Sequence, residues 1–294
     1  MIQLSENVKL LGNGYFNFYL VGKERAALVE CGTRAGAQIF AEQWGQIENK
    51  PRVDFIIALH SHFDHVCGIP TLKGLFPDAK VAASSNTQKT LTREAIVAEY
   101  FRNDVKVSNT YLEKGLIDKL PDTSVLDRID IDLVVGEGDV LEIEPGLTLE
   151  ILDAPGHSVC SIAAYVPSEQ VMLASDAVGF VASTGVMPPI FFQGYDLYVD
   201  TIRRLMTYPT KVLGGAHGDV VTGDEVGRLY QRSLESAERV AAMVDEMLQS
   251  GVSEEDLTSR LYNQYIQDGL SLYPKEMMMA VMNLIIKRSK ARQK

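Results

Sequence analysis

The 294-residue chain holds five histidines, at 60, 62, 65, 157 and 217, and three of them fall within six residues. The segment Ala58-Leu59-His60-Ser61-His62-Phe63-Asp64-His65 puts three imidazoles and a carboxylate directly after an apolar run. Burying four ionisable side chains without partners is costly, and a metal cation removes that cost. Imidazole nitrogen and carboxylate oxygen suit zinc, iron, manganese or nickel. In this spacing His60 and His62 point one way while Asp64 and His65 turn to a neighbouring position, so the segment reads as two metal half-sites. Each half needs further ligands. His157 lies in Asp153-Ala154-Pro155-Gly156-His157-Ser158, His217 in Gly214-Gly215-Ala216-His217-Gly218, and Asp176 in Ser175-Asp176-Ala177. Each follows a strand pattern, which implies convergence on one site. A structural metal would need only four closed ligands, and seven candidates exceed that.

The elements that must position these residues follow from the apolar pattern. Residues 8–11, 15–21 and 26–31 read as meandering strands separated by Gly12-Asn13-Gly14 and Gly22-Lys23. Residues 34–46 suit a helix, and 53–59 form a nearly unbroken apolar run, as for a strand covered on both faces. A helix at 69–76 and a strand at 81–83 follow, and then charge-rich helices over 87–105 and 111–119 form an insertion at about 86–119. Strand patterns resume at 131–135, 140–143, 147–152, 161–166 and 171–174, divided by glycine and Pro-Gly turns, and imply a second sheet. The uncharged run 177–195, with three glycines and Pro188-Pro189, reads as a loop. A helix over 195–208 ends at Pro209, a last strand takes 211–214, and three helices cover 224–249, the stretch from Ser253, and 274–290. The fold class is α/β. Residues 1–223 make the body and 224–294 a helical C-terminal cap within the same compact unit.

Composition narrows the function classes. With 28 Lys and Arg against 39 Asp and Glu, the formal charge of −11 argues against a nucleic-acid surface. No basic stretch followed by an apolar one opens the chain, and no run suits a membrane span. Cys31, Cys67 and Cys160, odd in number and widely spaced, read as small buried hydrophobes in a reducing, cytoplasmic setting. The expected partner is a small molecule, and a homo-oligomer is compatible with the sequence. Tyr15, Phe16, Phe180, Phe191, Phe192 and Tyr195 are candidates for either pocket or core. Met277-Met278-Met279 reads as packing of the last helix. Lys287, Arg288, Lys290, Arg292 and Lys294 read as a solvated helix C-terminus.

The ordered set His-x-His-x-Asp-His, Pro-Gly-His-Ser, an Asp after an apolar strand and a late His-Gly resembles the metallo-β-lactamase fold superfamily over residues 60 to 217. That resemblance implies a four-layer αβ/βα sandwich with the site at one edge. It also implies that His60, His62 and His157 bind one metal, that Asp64, His65 and His217 bind a second, and that Asp176 bridges both. Three positions depart from the common pattern. Glu30 stands where an Asp often supports a ligand histidine, Ser175 replaces a Gly before the bridging Asp, and Ala216 replaces a Gly before the last histidine. The flavodiiron subgroup carries Glu at the second histidine position, unlike His62.

The function expected is hydrolysis by two divalent transition-metal ions, zinc or iron, with manganese also compatible, through a bridging hydroxide. Asp64 is expected to orient that hydroxide and to pass a proton to the leaving group. The insertion and the C-terminal helices are expected to enclose an acyl pocket. The chain is similar to the thioesterase subgroup that includes 2-aminobenzoylacetyl-CoA thioesterase, which implies thioester or small carboxylic-ester hydrolysis. Lactone or phosphodiester hydrolysis are the enzymatic alternatives. The reading from another class is a regulatory protein that binds a partner through its C-terminal helices.

Overall fold

The structure is a computed structural model and describes residues 1–182 and 184–292, so Ser183 of the predicted loop and Lys294 of the basic tail lie outside the described residues. The first sheet begins with β1 (Ile2–Gln3), β2 (Val8–Gly12), β3 (Asn17–Val21) and β4 (Arg25–Val29). Helix α1 (Arg34–Gly45) leads to β5 (Arg52–Ala58), α2 (Phe63–Val66), α3 (Ile69–Leu75) and β6 (Lys80–Ala83). Helices α4 (Ser85–Leu91) and α5 (Glu94–Glu113) precede β7 (Leu133–Val134). The seven strands lie side by side in chain order, antiparallel up to β4 and parallel from β4 onward.

The second sheet contains β8 (Val140–Glu144), β9 (Leu147–Asp153), β10 (Ile162–Val166), β11 (Val171–Leu173), β12 (Val212–Gly214) and β13 (Val221–Thr222). All its neighbours are antiparallel except β11 and β12. Helix α6 (Tyr195–Leu205) joins β11 to β12, and α7 (Asp224–Gln249), α8 (Glu254–Tyr265) and α9 (Lys275–Lys290) complete the chain. None of the described helices is long and apolar enough to cross a membrane.

Strand alternation divides the apolar side chains into layers. In β3, Phe18 and Leu20 face α1 and α5, while Tyr19 and Val21 face the second sheet. In β10, Ile162, Ala164 and Val166 point between the sheets, and Ala163 and Tyr165 point to the helices α6 to α9. The result is helices, sheet, sheet, helices, the four-layer αβ/βα sandwich that the resemblance implied. Each fully buried Leu, Ile or Phe in these layers contributes about 1.5–3 kcal/mol over its exposed state. All three cysteines are buried and free, as small hydrophobes.

The insertion differs from the expected pair of helices. The run 87–105 is broken at Thr92 and Arg93, where α4 ends and α5 begins, and α5 continues to Glu113. No separate helix forms at 111–119: residues 111–113 are the end of α5, Gly115 takes φ +67 just past it, and 116–132 are irregular. Helix α6 stops at Leu205, short of Pro209. Strand β3 starts at Asn17, because Tyr15 and Phe16 belong to the preceding turn.

The turn that carries His157 is fixed by Gly156, at φ +128, whose absent side chain leaves room for the backbone of Tyr198 in α6. A Cβ there would stand 2.3 Å from Tyr198 Cα. Gly156→Ala is therefore expected to cost roughly 3 kcal/mol and to lower the denaturant midpoint, with metal content falling alongside.

Helix α5 buries Asp104 against α1, where its Oδ1 accepts the Arg34 N–H at 3.0 Å and its Oδ2 has no partner. Burial pushes this carboxyl up to about 7, against the opposing pull of Arg34. A carboxyl with a raised folded-state pKa stabilises the fold below its unfolded pKa, and that contribution is lost as pH rises through the folded value. Asp104→Asn should therefore flatten the decline in melting temperature between about pH 4 and 7, read as wild type against variant across that range.

Candidate metal centre

The chemistry-bearing residues lie just past the C-terminal ends of strands in both sheets. His60, His62, Asp64 and His65 follow β5, with His62 the residue before α2 and Asp64 and His65 within it. His157 follows β9, Asp176 sits in a short 3₁₀ turn (Ser175–Val178) after β11, and His217 follows β12. The structure brings all seven residues together.

His62 Nδ1 lies 3.1 Å from His60 Nε2 and 2.9 Å from His157 Nε2. Asp176 Oδ2 is 3.2 Å from His157 Nε2, 3.5 Å from His65 Nε2 and 3.9 Å from His60 Nε2, while its Oδ1 is 3.6 Å from His217 Nε2. Asp64 Oδ2 is 3.5 Å from His65 Nε2 and 3.8 Å from His217 Nε2. Three sets of donor atoms each fall within 4.8 Å of one another: His60, His62 and His157; His60, His65 and Asp176; and Asp64, His65 and His217.

The outer ring nitrogens explain why the inner ones point here. His157 Nδ1 donates to the Ile190 carbonyl at 2.8 Å, and His217 Nδ1 to the Tyr15 carbonyl at 2.6 Å. A carbonyl only accepts, so in the neutral rings the lone pair resides on Nε2. His65 Nδ1 lies 3.1 Å from Glu30 Oε2, and His60 Nδ1 lies 3.3 Å from Ser175 Oγ. Glu30 thus stands behind a ligand candidate, and Ser175 supplies a hydroxyl that Gly would lack. Both residues adopt positive φ, 74 for Glu30 and 50 for Ser175, a conformation that costs a non-glycine residue energy and is held here by the surrounding contacts. Ala216 has no such φ, so the position needs no glycine.

Electrostatics follow from this crowding. Burial, with the neighbouring imidazoles, holds His60 well below the usual histidine range and brings His62 down to about 3. Burial also lowers His157. For His65 burial is outweighed by Asp64, Glu30 and Asp176, which raise it well above the usual range. Asp176 is held well below the carboxylate range, because His217, His65 and His157 outweigh its burial. His65 Nε2 is buried and has no hydrogen-bond partner. An orphaned nitrogen beside carboxylate oxygens, and three neutral imidazoles with facing nitrogens, fit a pair of divalent cations.

One neighbour was not visible in the sequence. Tyr273, between α8 and α9, donates its hydroxyl to Asp64 Oδ2 at 2.5 Å across 209 residues of chain, and burial beside Asp64 keeps that phenol protonated. No local pattern around Leu272-Tyr273-Pro274 connects it to residue 64; only the fold of the cap does.

Two cavities meet at the centre. The larger, about 340 Å³, reaches His62, Asp64, His157, Asp176 and His217 and is roofed by α9 and walled by α5. The smaller, about 250 Å³, lies beyond His217 and is lined by the turn at Asn13 to Phe16. Of the candidate aromatics, Tyr15, Phe16, Phe180 and Phe192 line cavities, whereas Phe191 is fully buried core and Tyr195 packs against that core. Met277 and Met278, read as helix packing, also face the larger cavity.

The sequence model of the metallo-beta-lactamase superfamily matches residues 11–217, more than half of the chain. The chain is 25% identical over 199 residues to the metallo-beta-lactamase fold-containing protein ST1585 of Sulfurisphaera tokodaii, covering 66% of this chain and 71% of that one. The crystal structure of ST1585 superposes with a TM-score of 0.56 at 21% identity, over 78% of this chain and 85% of that one. This chain is 24% identical over 166 residues to glyoxylase B2 of Dictyostelium discoideum, covering 56% of this chain and 47% of that protein, so it spans about half of that relative's length. The sec-alkylsulfatase Pisa1 from Pseudomonas sp. shares the fold at a TM-score of 0.65 and 14% identity, over 97% of this chain and 49% of the other. The sandwich, the order of histidines and aspartates along it and the match of the family model together establish that this chain belongs to the metallo-beta-lactamase superfamily.

Proposed function

We propose that the chain is a dinuclear-metal-dependent hydrolase of a small carboxylic ester or thioester. His60, His62 and His157 would hold one divalent cation, Asp64, His65 and His217 a second, and Asp176 would lie between them. The observation that carries this reading is the convergence of these seven side chains with the outer nitrogens of His157 and His217 committed to carbonyls. When bound, the ions would supply an acidified water and a Lewis acid for the carbonyl oxygen of the acyl group. Asp64 takes a proton from the attacking water and delivers it to the departing oxygen or sulfur as the bond to the acyl carbon breaks. Tyr273 holds the Asp64 carboxyl in register for that transfer. The apolar walls of the larger cavity would seat the acyl group. Helices α7 to α9 turn apolar residues such as Val244, Leu261 and Ile285 into the shared core, which favours a cap over a partner-binding surface.

Metal analysis and an activity panel on the same sample test the reading. Close to two transition-metal ions per chain are expected, with metal-dependent turnover of esters or thioesters above that of lactones and phosphodiesters. Folded, active, metal-free protein would overturn it. Asp176→Ala is expected to abolish turnover and strip metal while the circular dichroism spectrum stays native. Glu30→Gln, which keeps the shape behind His65, is expected to weaken the second ion's affinity about 10–100-fold, read by chelator competition.

A further inference from the structure

The two cavities share Phe180, His217, Leu270 and Tyr273, so a substrate at the centre extends one arm into each. Among the described residues that line them there is no lysine or arginine; beyond Asp64 and Asp176, which the reading above assigns to the ions, the lining carboxylates are Glu99 in the larger cavity and Asp219 in the smaller. The cations nearby in sequence already have partners. Arg102 pairs with Glu99 at 2.8 Å at the exposed rim of the larger cavity. On α9, Arg288 donates to the Phe192 carbonyl and Lys290 pairs with Glu254, and beyond its end Arg292 pairs with Asp245. One wall of the larger cavity is apolar, with Ile190, Phe192, Val281, Met282 and Leu284 facing it.

Resting on the hydrolase reading above, we infer that the site selects esters whose acyl arm is apolar and uncharged, and rejects those whose arm ends in a carboxylate or phosphate. An anionic arm seated on the apolar wall of the larger cavity, away from the ions, would be desolvated with no lining lysine or arginine to meet it. An aliphatic or aromatic arm loses only hydrocarbon contact with water there. The reaction is the same for both: water adds to the acyl carbon, the ester C–O bond breaks, and the alcohol leaves with the proton.

The test compares p-nitrophenyl octanoate with the p-nitrophenyl monoester of suberic acid, which carries the same eight-carbon acyl chain ending in a carboxylate. With metal-loaded enzyme, kcat/KM is expected to favour octanoate on the order of 100-fold, with most of the loss in KM. Leu284→Lys places an ammonium on a half-buried position of the apolar wall, from which its stem can lie along the cavity; it should narrow the ratio at least about tenfold by raising turnover of the suberate ester. Val281→Lys serves the same purpose should the first variant fail to fold. Equal or greater kcat/KM for the suberate ester would overturn the inference and leave the hydrolase reading standing. Absence of turnover on either ester, in a sample shown to carry its metal, would remove the hydrolase reading and the inference with it.

Discussion

A neutral imidazole has one proton and one lone pair, so whatever fixes the proton aims the lone pair. The Ile190 carbonyl does this for His157 and the Tyr15 carbonyl for His217, while Glu30 and Ser175 stand behind His65 and His60. These groups come from segments far apart in the chain, and each must be in place for its ring to face inward. The irregular stretch before α6 and the turn before β3 are therefore part of the centre. Two strained residues, Glu30 and Ser175, show where the backbone yields to that requirement.

The two sheets were legible because β3, β5 and β10 bury both faces and so read as near-continuous apolar runs between glycine turns. The seven residues of the centre were legible because each follows such a run closely, and the structure brings all of them together. The insertion was harder. Thr92-Arg93 is no strong breaker, and Leu116, Ile117 and Ile129 pack on the first core as irregular chain, which their apolar character alone does not distinguish from helix. The division of aromatics between pocket and core depended on tertiary placement: Phe191 and Phe192 are adjacent, yet one is sealed in the core and the other faces the imidazoles.

Charge is distributed to match this arrangement. The acidic chain gathers its imidazoles at the centre, while Arg102 on α5 and Lys290 on α9 pair with carboxylates on exposed helical surfaces. Such exposed pairs add little to stability individually. Their position matters more for leaving the cavity walls to hydrocarbon and to carboxylates.

The Tyr273 hydroxyl joins the segment between the last two helices to the carboxyl of Asp64. A contact of this kind acts in both directions, because linked equilibria are reciprocal. Docking of the cap restrains a donor atom of the centre, and anything that favours that atom's position favours the docked cap by the same free energy. The last helices and the Asp64 carboxyl are therefore coupled through one hydroxyl, so a change that loosens either is expected to loosen the other.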